Sequence, residues 1–73
     1  MMYELAKTES PLFAEYYTGY NPKTFRSVHC TLADNCVRYI VYDCKNYRLL
    51  SKREYGNQDK ERCFASATAA LNR

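Results

Sequence analysis

The chain has 73 residues and a net charge of +3. So short a chain forms one domain with a small core, and its longest strongly apolar run, residues 39–42, excludes a membrane-spanning helix of roughly 20 residues. Eight tyrosines add apolar surface where aliphatic residues are few, which favours a folded chain over a disordered one.

The first residues show no secretion signal, because Glu4 and Lys7 interrupt any apolar stretch. We therefore expect a cytoplasmic protein with no membrane partner. Ser10 is a candidate N-cap and Pro11 suits the first helical position, which predicts a short helix from about Pro11 to Tyr17. Residues 1–20 are thus predicted to form an N-terminal arm with one short helix.

Three segments with the two-residue periodicity of strands follow the arm. They are TFRSVHCTL (24–32), CVRYIVYD (36–43) and YRLLSKREY (47–55). The turns between them are short, so the strands are expected to be antiparallel neighbours in a meander. Alternation places one set of side chains on an inner, core face: Arg26, Val28, Cys30, Leu32, Val37, Tyr39, Val41, Tyr47, Leu49 and Tyr55. The outer face, on the other side of the sheet, is predicted to carry Ser27, His29, Thr31, Arg38, Ile40, Tyr42, Arg48, Leu50 and Lys52.

The last element is a helix that begins near Asp59. Its apolar residues recur at helical spacing and form one stripe: Cys63, Phe64, Ala67, Ala70 and Leu71. The predicted fold is therefore α+β, with a short N-terminal helix, a three-stranded antiparallel β-meander, and a C-terminal helix packed on one sheet face. Residues 21–73 form the meander and the helix, within a single compact domain.

Four cysteines leave three kinds of site open: disulfides, a zinc site or free thiols. Disulfides need an oxidising compartment, and no secretion signal points to one. Zinc is suggested by His29 beside Cys30, but Cys36 and Cys44 end the same predicted strand and lie roughly 26 Å apart at 3.3 Å per residue. We predict free thiols and no metal.

Catalytic signals are weak. The chain has a single histidine, His29, and its neighbour Cys30 must point to the opposite side of the strand. No glycine-rich phosphate loop is present, since Gly19 and Gly56 are the only glycines. We expect a protein without enzymatic activity, catalytic residues or cofactors.

The charge is unevenly distributed along the chain. Residues 1–20 carry one lysine against three glutamates, whereas residues 21–73 carry ten basic against five acidic residues. Part of this excess lies on the predicted outer face, among hydroxyl and aromatic side chains that suit contacts to phosphates and bases. The predicted binding residues are His29, Arg38, Tyr42, Lys45, Arg48 and Lys52. We therefore predict a small nucleic-acid-binding module that uses this basic face.

The pattern of three strands closed by YG at residues 55–56 and followed by an alanine-containing helix resembles the AP2-type DNA-binding modules. It is also similar to the arm-binding domains of phage tyrosine integrases. The resemblance covers roughly residues 36–71. It implies that the outer face enters the DNA major groove, with Arg38, Arg48 and Lys52 towards the groove.

A protein-binding function is the alternative. A small chain without catalytic residues could be a phage-type accessory protein that binds and inhibits or redirects a host protein. Tyrosine and arginine, which are frequent at binding hot spots, support this interpretation, as does the acidic, tyrosine-rich stretch FAEYYTGY. Edge strands of the meander could also pair across a homodimer.

Overall fold

The computed structural model describes residues 2–8 and 15–73, which form one five-stranded antiparallel sheet and one helix. The strands lie in chain order across the sheet: β1 (Ala6–Thr8), β2 (Glu15–Asn21), β3 (Arg26–Ala33), β4 (Cys36–Asp43) and β5 (Arg48–Tyr55). Helix α1 (Lys60–Leu71) packs on one face of the sheet. The chain is α+β, but the predicted three-stranded meander with an N-terminal helix is wrong.

The predicted helix from Pro11 to Tyr17 is corrected at its C-terminal end. Residues 15–17 begin β2, whereas residues 9–14, which include the helix-start signals Ser10 and Pro11, lie outside the described residues. The segment 16–20 consists of three tyrosines, a threonine and a glycine, and aromatic and β-branched side chains favour a strand. The helix prediction depended on the helix-start signals, whereas the composition of this segment favours a strand.

Gly19 explains how β2 can lie so close to the C-terminal end of α1. A Cβ atom at this position would lie 2.6 Å from Cδ2 of Leu71 and 3.0 Å from Cδ2 of Leu5. Only a residue without a side chain allows the C-terminal end of α1 to approach the strand this closely. The buried amide of Asn21 donates a hydrogen bond to the carbonyl oxygen of Leu71 at 2.8 Å, which fixes the helix end to β2.

The core lies between α1 and the centre of the sheet, as the sequence pattern predicted. Buried side chains alternate along β3 and β4 and meet the stripe of small and apolar residues on the helix. The ring of Phe64 packs edge-on against Tyr17 with centroids 5.0 Å apart. The buried core residues are Leu5, Val28, Cys30, Leu32, Val37, Tyr39, Val41, Cys63, Ala67, Ala70 and Leu71.

A β-bulge interrupts the pairing of β4 with β5. Val41 lies opposite Ser51, but its neighbour Tyr42 lies opposite Leu49, so Leu50 is an extra residue in β5. A bulge places two residues of one strand opposite one residue of its partner and disturbs the alternation of faces. The prediction that side chains alternate strictly between the two faces along all of β5 is therefore wrong on the N-terminal side of the bulge.

Three face assignments in β5 are wrong for this reason. Arg48 was expected on the outer face, but it lies opposite Asp43, on the inner side of the strand register, with a side chain that is 67% exposed at the strand end. Leu49 was expected in the core, but it lies beside Tyr42 on the outer face and is 53% exposed. Leu50 was expected on the outer face, but it lines a groove on the helix side with Ala70 and Arg73. Lys52 lies opposite Ile40 on the outer face, in agreement with the prediction.

No helix in the described part of the chain is long and apolar enough to cross a membrane.

Candidate nucleic-acid interface

The outer face of the sheet is turned away from α1, and none of the described helices or strands packs against it. Its composition is mainly aromatic and hydroxylic, with three charged residues. The strand register assigns to it Ala6, Thr8, Tyr16, Thr18, Tyr20, Ser27, His29, Thr31, Arg38, Ile40, Tyr42, Leu49, Lys52 and Glu54.

The middle of the outer face is less basic than the sequence pattern suggested. Glu54 lies opposite Arg38, and its carboxylate is 3.7 Å from Nζ of Lys52. The Nε atom of Arg38 is buried and has no hydrogen-bond partner among the described residues. One carboxylate thus lies between the two predicted phosphate-binding cations.

A surface pocket lies at one end of the outer face, and we call it the turn pocket. It has a volume of about 380 Å³ and opens to solvent. Its walls include Ser27, His29, Tyr42, Cys44, Tyr47 and Arg48, with Asp43 at the base of the neighbouring turn. The pocket therefore unites three of the six predicted binding residues, His29, Tyr42 and Arg48. Arg38 and Lys52 do not line it.

The β4–β5 turn beside the pocket is held by Asp43. Its carboxylate accepts hydrogen bonds from the backbone N–H of Lys45 at 3.0 Å and from the side-chain amide of Asn46 at 2.8 Å. The Asn46 bond is the main reason that the pKa of Asp43 lies below its ordinary value. Nε of Arg48 is 3.7 Å from the same carboxylate. The side chain of Asp43 is only 13% exposed, so its charge is directed into the turn.

Tyr47 completes this turn in an unusual conformation. Its φ is 53°, in the left-handed region that side chains other than glycine and asparagine seldom occupy, and it is 92% exposed. The sequence pattern placed Tyr47 on the inner face, which is wrong. The sequence pattern predicted a short turn between residues 43 and 47, but nothing in it indicated that a tyrosine would occupy the left-handed position.

The β2–β3 turn lies alongside and carries a second left-handed aromatic residue. Phe25 has a φ of 60° and is 41% exposed. Its carbonyl oxygen accepts a hydrogen bond from the N–H of Cys44 at 2.8 Å, which ties the two turns together. Nζ of Lys45 lies 5.4 Å from the centre of the Phe25 ring, within cation–π range.

The two turns form what we call the turn pole, residues 22–26 and 43–48. It contains four basic residues, Lys23, Arg26, Lys45 and Arg48, and one acidic residue, Asp43. The opposite end of the sheet, residues 34–35 and 56–62, contains three acidic residues and two basic residues. One of these basic residues, Lys60, is 3.0 Å from the carboxylate of Asp34. The molecule is thus electrically polarised along its strands.

His29 forms the floor of the turn pocket with both ring nitrogens hydrogen-bonded. Nδ1 is 2.6 Å from the hydroxyl of Tyr16, and Nε2 is 3.1 Å from the hydroxyl of Ser27. The His29 and Tyr42 rings meet edge to face with centroids 5.5 Å apart. Burial lowers the pKa of His29, which favours its neutral form. These contacts hold both rings in place at the pocket.

The cysteines are free thiols and do not gather at this surface. Cys30 and Cys63 are buried on the other side of the sheet, with sulfur atoms 3.9 Å apart. Cys36 and Cys44 lie at opposite ends of β4, as predicted. Within residues 2–8 and 15–73, no three His, Cys, Asp or Glu side chains are grouped so that they could hold a metal ion.

No protein-family model, curated protein or solved structure matches this chain. Only the geometry and chemistry of the turn pole and the outer face therefore point to a function.

Proposed function

We propose that the protein is a small nucleic-acid-binding module that uses the turn pole and the adjoining end of the outer face. The observation that carries the proposal is the combination of basic and exposed aromatic side chains on two tied turns. Phosphate binding requires cations, and contact with bases requires planar groups. Lys45 and Phe25 form one such combination on the two tied turns, and Arg48 and Tyr47 form another at the turn pocket.

The polarised charge supports the same surface. A polyanion approaching the molecule meets four basic residues and one acidic residue at the turn pole, but two basic and three acidic residues at the other end. Such an asymmetry orients charged partners before contact and raises association rates. The expected phosphate-binding site lies away from Arg38 and Lys52, because Glu54 offsets part of their charge.

The conformation of Tyr47 supports the proposal independently of charge. A residue with a Cβ atom in the left-handed region is destabilised by roughly 1 to 2 kcal/mol, and a large exposed aromatic side chain gains no burial that would compensate. Strained backbone that persists without a packing reason is frequent at binding sites. A ring with both faces free is suited to stacking with a ligand.

The wild-type protein allows a direct test of phosphate contact. A labelled mixed-sequence oligonucleotide, single-stranded and as a duplex, is titrated by fluorescence anisotropy at about 50 mM and about 200 mM salt. If all four turn-pole cations contact phosphates at about 0.7 of a logarithmic unit each, this fourfold rise in salt should weaken single-strand binding roughly 50-fold. Binding that does not depend on salt, or an absence of binding at low salt, would show that the proposal is wrong.

A protein partner is the second candidate, and one observation favours it. The middle of the outer face is nearly neutral, and the face carries several tyrosines, a residue type that is enriched at protein interfaces. A phage-type accessory protein that inhibits or redirects a host protein would use this area. Either function suits a reducing compartment such as the cytoplasm, given four free thiols.

A further inference from the structure

We infer that the nucleic acid bound is single-stranded and that one unpaired base occupies the turn pocket, stacked on Tyr47 and Tyr42. This inference rests on the proposed function and specifies its ligand. Three observations carry it: the open pocket, the fixed rings on its floor, and the position of the cations.

The turn pocket offers ring surfaces that are accessible from solvent. Tyr47 projects from the turn with almost its whole side chain exposed, and Tyr42 is 38% exposed on the neighbouring strand. The volume of about 380 Å³ lies within the range of small-ligand pockets. Base-on-aromatic stacking needs a free base face, and in a duplex those faces are occupied by neighbouring base pairs.

The floor of the pocket is formed before any ligand arrives. His29 is held by Tyr16 and Ser27, and its edge-to-face contact fixes the ring of Tyr42. A fixed surface binds a flexible strand with a smaller loss of conformational entropy on the protein side. Among the described residues, Tyr47 is the one aromatic group at the pocket that extends beyond this framework, so it can stack from the open side.

The cations lie where the backbone of such a strand would run. Arg48 is part of the pocket wall, and Lys45 follows the wall residue Cys44 in the chain, with its Nζ over the ring of Phe25. The carboxylate of Asp43 is 3.7 Å from Nε of Arg48, but it accepts hydrogen bonds from backbone and amide donors of the turn. Two cations would serve the phosphates on either side of one base.

The test compares wild type, Tyr47→Gly and Tyr47→Phe with the same oligonucleotide in single-stranded and duplex form. Glycine removes the ring at a position where its backbone is favoured, so the fold is retained. Phenylalanine keeps the ring and removes only the hydroxyl. Melting curves confirm that both variants are folded.

We expect wild type to bind the single strand more tightly than the duplex. Tyr47→Gly should weaken single-strand binding about 5-fold to 150-fold and weaken duplex binding much less, and Tyr47→Phe should bind like wild type. If Tyr47→Gly binds the single strand as tightly as wild type, or weakens both forms equally, the inference is wrong, while salt-dependent binding still supports the proposed function. If wild type binds neither form at low salt, both are wrong, and a protein partner becomes the better explanation.

Discussion

The hydroxyl oxygen of Tyr16 lies 2.6 Å from Nδ1 of His29, on the face of the sheet that α1 does not cover. With Ser27 on the other nitrogen, the imidazole is fixed at the floor of the turn pocket. Its pKa is lowered by partial burial, because a charged ring would lose hydration there. The contact links a strand that the sequence pattern did not identify, β2, to the predicted binding surface.

This environment predicts a pH-dependent stability. Below the ordinary pKa of 6.5, the unfolded chain takes up a proton at His29 before the folded protein does. The free energy of unfolding should therefore fall as the pH decreases from 6.5 towards the lowered pKa, and this contribution should level off below it. Urea unfolding between pH about 7.5 and about 5 measures the effect, above the range in which most carboxylates titrate. His29→Gln, which removes the only histidine, should abolish the dependence; an unchanged dependence would contradict the assignment.

Cys30 and Cys63 should remain thiols that react only after unfolding. Burial raises the pKa of Cys30 to about 12, so at neutral pH it is not the thiolate that reacts with alkylating agents. Brief treatment with iodoacetamide, followed by mass spectrometry of peptides, should label exposed Cys44 first and the buried pair only in denaturant. A Cys30–Cys63 disulfide in protein prepared with reductant, or rapid labelling of either residue, would contradict this packing.

A substitution at Gly19 tests whether β2 lies in the sheet close to the C-terminal end of α1. Gly19→Ala places a Cβ atom against Leu71, Leu5 and the carbonyl oxygen of Glu4, and such overpacking typically lowers the free energy of unfolding by about 1 to 3 kcal/mol. Gly56→Ala is the matched control, because its nearest atom would be 3.8 Å away. Thermal or urea unfolding of both variants measures the difference. Equal stability of the two variants would show that the helix does not approach β2 so closely.

Substitutions at Tyr47 test whether its left-handed backbone conformation is strained. Tyr47→Gly should raise the free energy of unfolding by about 0.5 to 1 kcal/mol, since relief of the left-handed strain exceeds the greater entropy of glycine in the unfolded chain. Tyr47→Ala keeps the Cβ atom and should give no such gain. If glycine and alanine have the same effect, the left-handed conformation is not strained. A variant that is more stable but binds less tightly would indicate that Tyr47 is retained for function.

Much of the fold could be predicted where one periodicity dominates. The alternation in β3 and β4 and the helical stripe from Cys63 to Leu71 identify the core without ambiguity. β2 was missed because the start signals at Ser10 and Pro11 favoured a helix over the aromatic segment that follows. The predicted faces of Arg48, Leu49 and Leu50 are reversed by a bulge that the residue pattern does not predict.

The candidate site could be predicted only in part. His29, Tyr42 and Arg48 meet at the turn pocket, and Lys45 lies in the adjoining β4–β5 turn, over the ring of Phe25. Arg38 and Lys52 lie elsewhere on the same face because the pocket forms at the end of the strands, where the turns rise beside it. Phe25 and Tyr47 belong to the candidate site because of their positive backbone φ angles, which a sequence pattern does not predict.

The measurement that tests the central claim most directly compares two double variants with the same loss of charge. Lys45→Gln with Arg48→Gln removes two cations from the turn pole, and Lys60→Gln with Arg62→Gln removes two from the first turn of α1, at the opposite end of the sheet. Salt-dependent anisotropy with a labelled single strand gives the logarithmic slope for each protein.

The turn-pole variant should bind much more weakly than wild type, with a slope reduced by about 0.7 for each cation removed, whereas the helix variant should keep the slope of wild type. If both variants bind alike, or if the helix variant loses more affinity, the turn pole is not the nucleic-acid interface.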